Sequence, residues 1–381
     1  MKMKSPISSS FFWILLILAA CGGSPRTSAD LATPIPPGPR VERLQSPEYG
    51  IQAFLWWYVD QSAERDLGRV QDMGFGWVKQ IFAWRDLEGG QKGAFDWYRA
   101  YRIVDLAEDA GLALLVRLDH QPRWAQDPSV PDLLPDAPPA NFQDFGDYCF
   151  ALANRYRGRI RAYEVWNEPN LAREWGGQAP DPVAYTDLLK ACYLGIKRGD
   201  PEALVISAGL APTGTYDETA LPHEVFYQGM YDAGALAYYD LLGVHAPGFM
   251  NPPERSPDEV EADPALGLRW LAFRHVEDIR RLMIANGDAG KQIAITEMGW
   301  TTDKQNPIYS WFAVTEEQKA DYLARAYAYA REHWSPWIGL MSSVYIADPD
   351  WTPANEQYYW AVTRPDGTLL PAYAALKGME K

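Results

Sequence analysis

Between Tyr49 and the C-terminus, short apolar runs alternate eight times with longer stretches, and this period constrains the fold more than any other feature. The strand-like runs are GIQAFLW (50–56), GWVKQIFAW (76–84), LALLVRL (112–118), RAYEVWNE (161–168), ALVISAGL (203–210), DLLGVHA (240–246), QIAITEMGW (292–300) and LMSSVYIA (340–347). Between them lie stretches such as 95–111, 141–158, 184–199 and 315–333, whose apolar spacing is helical. Two of these end in a glycine just before a strand, Gly111 and Gly158, as helix C-termini often do. Eight strands alternating with helices is the count of a (β/α)8 TIM barrel in a single domain. A doubly wound sheet is the competing α/β architecture, but no G-x-G-x-x-G follows the first strand. The longest non-helical insertions, 119–140, 247–264, 301–314 and 348–368, all follow strands. They therefore gather at the face where barrels of this kind build their sites.

Residues 1–20 read as a signal peptide rather than as part of the fold. Lys2 and Lys4 precede the apolar run FFWILLILAA, which is too short for a comfortable membrane span. The ending Leu18-Ala19-Ala20-Cys21 resembles a bacterial lipobox. That resemblance implies cleavage before Cys21 and a lipid anchor on it, hence an extracytoplasmic, membrane-anchored lipoprotein at the cell surface or the periplasmic side. The alternative is an ordinary signal peptide that happens to contain a cysteine. Residues 21–47, rich in Pro, Gly and Ser, read as a flexible tether, and 48–381 as the barrel. Cys149 and Cys192 leave two readings open, a disulfide in an oxidising compartment or two buried thiols. There is no metal-type Cys/His spacing, and no cofactor or metal is expected. A formal net charge of −15 disfavours nucleic acid and anionic lipid surfaces as partners. The 16 Trp, 22 Tyr and 13 Phe suit either a large core or stacking platforms for a sugar.

Two acids stand out by position. Glu168 closes the fourth strand in Asn167-Glu168-Pro169, and Glu297 closes the seventh in IAITEMGW. Taken singly, a glutamate at a strand end is a solvated or salt-bridged acid. Taken together, strands four and seven of an eight-stranded barrel face each other, so both carboxylates point over one mouth. Two facing carboxylates are what glycoside hydrolysis needs: one protonates the leaving oxygen, and the other attacks the anomeric carbon or activates water.

This pattern resembles glycoside hydrolase clan A, the retaining (β/α)8 enzymes with acid/base and nucleophile on strands four and seven. Asn167-Glu168-Pro169 and Thr296-Glu297 match its motifs, and the stretch 84–125 is similar to members of families 39 and 5. The resemblance implies that Glu168 is the general acid/base and Glu297 the nucleophile. It implies that Asn167 hydrogen-bonds the 2-hydroxyl of the sugar being cleaved. It implies a β-linked oligo- or polysaccharide as substrate, cleaved by double displacement. His245 falls where clan members place a residue beside the nucleophile, often Tyr; this chain reads VHAPGF. His120, at the end of strand three, is a candidate for a sugar hydroxyl. Trp84, Trp124, Trp300 and Tyr345 lie at or just beyond strand ends and are candidate sugar platforms, with loop packing as the alternative. Clan members usually carry Trp on strand eight; here Tyr345 substitutes, or Trp351 folds back.

Glu164 lies roughly 13 Å behind Glu168 along an extended strand, inside the barrel. It should be buried and structural, paired with Arg117 or Lys79. With Glu297 ionised nearby, the pKa of Glu168 should be raised. The rival functions are a non-catalytic glycan-binding lipoprotein on the same barrel and a transglycosylase using the same residues.

Overall fold

The computed structural model describes residues 44–56, 60–129 and 136–381, all within one compact unit, Glu42–Lys381. The expected signal peptide, the Cys21 anchor and most of the tether lie outside the described residues.

Eight parallel strands form a closed barrel in sequence order. They are β1 (Glu48–Gln52), β2 (Trp77–Ala83), β3 (Ala113–Asp119), β4 (Ala162–Val165), β5 (Leu204–Ser207), β6 (Leu241–Pro247), β7 (Gln292–Gly299) and β8 (Ile338–Ser343). The barrel closes where β8 pairs with β1, setting Tyr49 opposite Met341. Each strand leads to a main helix of the outer layer: α1 (Asp60–Asp72), α2 (Tyr98–Asp109), α3 (Phe142–Arg155), α4 (Pro182–Gly199), α5 (His223–Asp232), α6 (Val276–Ala285), α7 (Glu316–His333) and α8 (Pro371–Gly378). The (β/α)8 barrel expected from the period is the fold. The chain joins it ahead of residue 48: buried Leu44 exchanges two backbone hydrogen bonds with the Gln292 side chain, at 3.0 and 3.1 Å. Composition alone placed these residues in the tether because a side-chain amide gripping a backbone leaves no compositional trace.

Local chemistry sets the helix ends. The Asn141 side chain caps α3 by accepting from the Gln143 amide. Asp181 caps α4 ahead of Pro182, and Thr315 forms a capping box with Gln318 at α7. Gly111 and Gly158 take positive φ, 63° and 75°, where the chain turns from α2 and α3 back toward a strand. A disulfide joins Cys149 on α3 to Cys192 on α4 and closes the question that the sequence left open. These two helices flank β4.

Regular pairing is interrupted at three places around β7, and two of them involve Glu297. The register of β6 against β7 shifts between Val244 and His245, which sets His245 opposite Glu297. The β7–β8 register shifts between Ile295 and Met298, around Glu297 itself. Bulges of this kind re-aim side chains and recur beside active sites.

Candidate active site

β4 is short, and its regular pairing stops at Val165. Trp166 and Glu168 then adopt positive φ, 74° and 40°, a region that non-glycine residues rarely occupy. Two backbone bonds hold the turn. The Trp166 amide donates to the Leu118 carbonyl at 2.8 Å and the Glu168 amide donates to the Gly209 carbonyl at 3.1 Å. Such strain persists only where surrounding structure over-determines it, and it clusters at functional sites. It leaves the Glu168 carboxyl on the wall of a cavity of about 550 Å³ at the mouth of the barrel, a size typical of small-ligand sites.

Glu297 reaches the same cavity from inside β7. Its Oε1 accepts from Lys79 Nζ on β2 at 3.1 Å and from Arg117 Nη1 on β3 at 3.2 Å. Both bonds go to one oxygen and leave Oε2 for another partner. His245 stands between the two acids: its Nδ1 lies 2.9 Å from Glu168 Oε1 and 4.0 Å from Glu297 Oε2. Those two oxygens are therefore no further apart than the sum of the two distances. The fit is close, because a Cβ at Gly209 would stand 2.1 Å from His245 Cδ2. Only glycine lets the segment after β5 close against the imidazole.

Glu164 is fully buried, as expected, and Lys79 is its partner at 2.8 Å. Burial alone would raise its pKa. The Lys79 ammonium, His245 and Arg117 reverse that and hold the carboxyl well below the usual range. Lys79 thus bridges Glu164 to Glu297, and His245 Nε2 lies 3.9 Å from Glu164. Glu164 is nearer to the site than strand spacing suggested, because β4 turns inward directly after it.

Asn167 is held at both ends of its amide. Oδ1 accepts from Arg117 at 2.9 Å, and Nδ2 donates to Glu174 Oε2 at 3.2 Å. Glu174 and Arg173 sit on a short 3₁₀ turn after β4, and both line the cavity. Arg173 reaches Glu168 and Glu174, each at 3.4 Å.

The expected rise in the pKa of Glu168 is not found. Burial pushes it up, but the His245 hydrogen bond, the charge of that imidazole and Arg173 outweigh burial and lower it. The cations stand closer to Glu168 than the sequence reading allowed. The raised acids of the cavity are Glu174, pushed up to about 7 by burial and by the charge of Glu168, and Glu356, pushed up by burial. Burial would lower His245, but Glu297, Glu164 and Glu168 together raise it to about 9.

Similar folds come from solved structures. The chain superposes on a family 39 glycoside hydrolase of Bacteroides cellulosilyticus WH2 with a TM-score of 0.64 and 22% identity. That match covers 87% of this chain and spans 63% of the other. The GH39 enzyme of Xanthomonas axonopodis pv. citri gives 0.61 and 18% over 88% and 67% of the two chains. The GH5_18 enzyme of Streptomyces cattleya, in complex with GlcNAc, gives 0.62 and 16% over 88% and 79%. The chain shares its fold with glycoside hydrolases of clan A. No family model and no curated protein matches it.

On this barrel, the aromatic candidates divide. Tyr345 and Trp351 both line the cavity and meet Phe54 from the segment after β1, with ring centroids 4.8 to 5.5 Å apart. Trp84 does not join them. It is fully buried, stacks on Tyr148 of α3, and its indole donates to Glu88. Trp300 is equally buried against Phe273 and Tyr322 and donates to the Asn251 carbonyl. Trp124 is half-buried, edge-on to Trp84, and outside the cavity lining. Neither ring belongs to a strand: Trp84 opens a helical turn, Trp84–Leu87, directly after β2, and Trp300 follows Gly299, the last residue of β7.

His120 lines the cavity, but both ring nitrogens are taken. Nδ1 meets Asp119, and Nε2 meets Asp136 at 2.9 Å. Burial would lower it, yet these carboxylates raise it to about 9. It ends a charged chain running from Glu297 through Arg117 and Asp119. His245 likewise is spent on the acids. Sequence reasoning missed Glu174, Arg173 and Phe54, none of which carries a motif, and it saw Lys79 and Arg117 as partners of Glu164 but not of Glu297.

Proposed function

We propose that the protein is a retaining glycoside hydrolase that cleaves β-linked oligo- or polysaccharide, with Glu168 as acid/base and Glu297 as nucleophile. The observation that carries this reading is the one imidazole nitrogen within 2.9 Å of Glu168 and 4.0 Å of Glu297. The bound it sets on the two oxygens leaves out most of the roughly 6.5–9.5 Å separation of inverting enzymes and accommodates the roughly 5–5.5 Å of retaining ones. In the first step Glu297 bonds to the anomeric carbon while the glycosidic oxygen leaves with a proton from Glu168. In the second, Glu168 takes a proton from water, and that water displaces Glu297. His245 stays protonated up to about pH 9, so at neutral pH the His245–Glu168 hydrogen bond already contains the proton that the departing oxygen requires. Asn167 donates to the sugar 2-hydroxyl. The Phe54, Tyr345 and Trp351 rings offer apolar faces to the sugar.

The Cys149–Cys192 disulfide supports an oxidising, extracytoplasmic location, consistent with a signal peptide and a lipid anchor on Cys21. The test is the product. With a panel of β-linked oligosaccharides, proton NMR in the first minutes of hydrolysis should show the β-anomer appear first. An initial α-anomer, or no turnover of any β-glycoside, rejects the proposal.

A further inference from the structure

Glu174 is placed at an energetic disadvantage. Three-quarters of its side chain is buried beside the carboxyl of Glu168, and its ion-pair partner is Arg173, 3.4 Å away and 63% exposed. A surface pair of that geometry adds little stability, whereas burying a second carboxyl beside the first is unfavourable. What Glu174 does hold firmly is the Asn167 amide. A carboxamide has two N–H donors and an acceptor oxygen, and nothing intrinsic decides which end faces the cavity. Here Arg117 claims the oxygen and Glu174 claims one N–H. The second N–H is left to meet a ligand.

We infer that Glu174 is a positioning residue of this reaction: through Asn167 it aims the donor that meets the sugar 2-hydroxyl, and through the shared Arg173 guanidinium it couples to the general acid. This rests on the glycosidase reading above. The charged and titratable groups that face Glu174 are Glu168 and Arg173 from its own loop and Arg117 from β3; Tyr345 and Glu356, beyond β8, sense it or its arginine. Among them Glu174 is the carboxyl pushed up to about 7. Near neutral pH the Glu168–Glu174 pair therefore titrates as a unit. Removing the Glu174 charge should let Glu168 ionise at lower pH.

The experiment compares wild type, Glu174→Gln, Asn167→Ala and the double variant on two substrates. The first is the dinitrophenyl β-glycoside that the wild type turns over fastest among the gluco, manno, xylo and galacto forms. The second is its 2-deoxy counterpart. Glu174→Gln replaces the charge-assisted bond to the Asn167 amide with a weaker neutral one and should lose roughly tenfold in kcat/KM on the first, and far less on the second. The double variant should be no slower than Asn167→Ala alone. The basic limb of the pH profile of kcat/KM should move to lower pH in Glu174→Gln and stay in place in Glu174→Asp, which keeps the charge. Equal losses on both substrates with an unmoved basic limb would reduce Glu174 to a structural residue and overturn the inference, as would a Glu174→Gln variant indistinguishable from wild type. If Glu174→Gln melts too early to assay, Glu174→Asp on the same two substrates decides the Asn167 half of the claim. A wild type inactive on every glycoside of the panel instead rejects the glycosidase reading, and this inference falls with it.

Discussion

The ends of β4 and β7 deliver the same functional group by opposite means. Glu297 sits inside β7, at a register shift toward both neighbouring strands, and two cations from β2 and β3 bond one of its oxygens. Glu168 hangs beyond the last paired residue of β4, on a turn whose positive φ values are held by bonds to β3 and to the segment after β5. Its partners are a histidine and a mostly exposed arginine. The contrast fits the two jobs proposed for these acids. A nucleophile must be aimed and kept in place. An acid that later acts as a base must change protonation between steps, so its neighbours include groups that titrate.

The largest expected effect tests that division directly. Under the proposed mechanism Glu297→Ala should lose on the order of 10⁴-fold or more on every substrate, because Glu297 is the group assigned the bond to the anomeric carbon. Glu168→Ala should lose on the order of 10²–10⁴-fold on natural sugars, the usual worth of a general acid. It should still form the intermediate from a dinitrophenyl glycoside, whose leaving group needs no proton. Azide should rescue it with a product of retained configuration, whereas azide acting on Glu297→Ala should give the inverted product. Single-turnover kinetics and NMR of the azide products check this, and swapped behaviour would exchange the two roles.

The next effect sharpens the β7 side. Glu164→Ala leaves Lys79 buried with one of its two carboxylate partners gone, and breaking one member of such a pair typically costs about 3–5 kcal/mol. Thermal melting should therefore fall steeply. Unchanged melting with lost activity would show that Glu164 acts on the reaction rather than on the scaffold.

The smallest effect is in pH. His120 and His245 are both raised to about 9, so the native state keeps protons that the unfolded chain releases near 6.5. Their stabilisation is fully present below that unfolded value and is lost as pH rises through 9, with a slope of up to about 1.4 kcal/mol per pH unit for each. Glu164 acts at the other end. Its depressed pKa gives stability above the unfolded glutamate value, lost as pH falls. Melting curves from acid to alkaline pH should thus peak between these limits. His120→Gln should flatten the alkaline decline without removing it, and an unchanged decline would place His120 outside the balance.

Much of this was legible in the sequence, for physical reasons. Strand and helix periods fix the barrel, and facing strand numbers fix Glu168 and Glu297, because closure of eight strands leaves them one mouth. Proximity to a strand end did not separate Trp84 and Trp300 from the cavity, because each lies just past its strand, where the chain has already turned. The surroundings of Glu168 were not legible. Glu174 and Arg173 lie in a 3₁₀ turn with no repeating pattern, and their effect depends on distances set by the turn at Trp166. The shift in the pKa of Glu168 has the same cause, since its sign depends on whether His245 or Glu297 stands closer.

His245 has a consequence for how this site can change over time. One imidazole lies within 4.0 Å of Glu164, Glu168 and Glu297, and Lys79 ties two of those three together. Substitutions among groups that share partners do not add. A replacement at 245 alters all three glutamates at once, and a replacement at any of them is felt by the others. The route from this histidine to another residue at the same position therefore passes through paired changes, with most single steps worse than either end, so the site's history is constrained by epistasis as much as by chemistry.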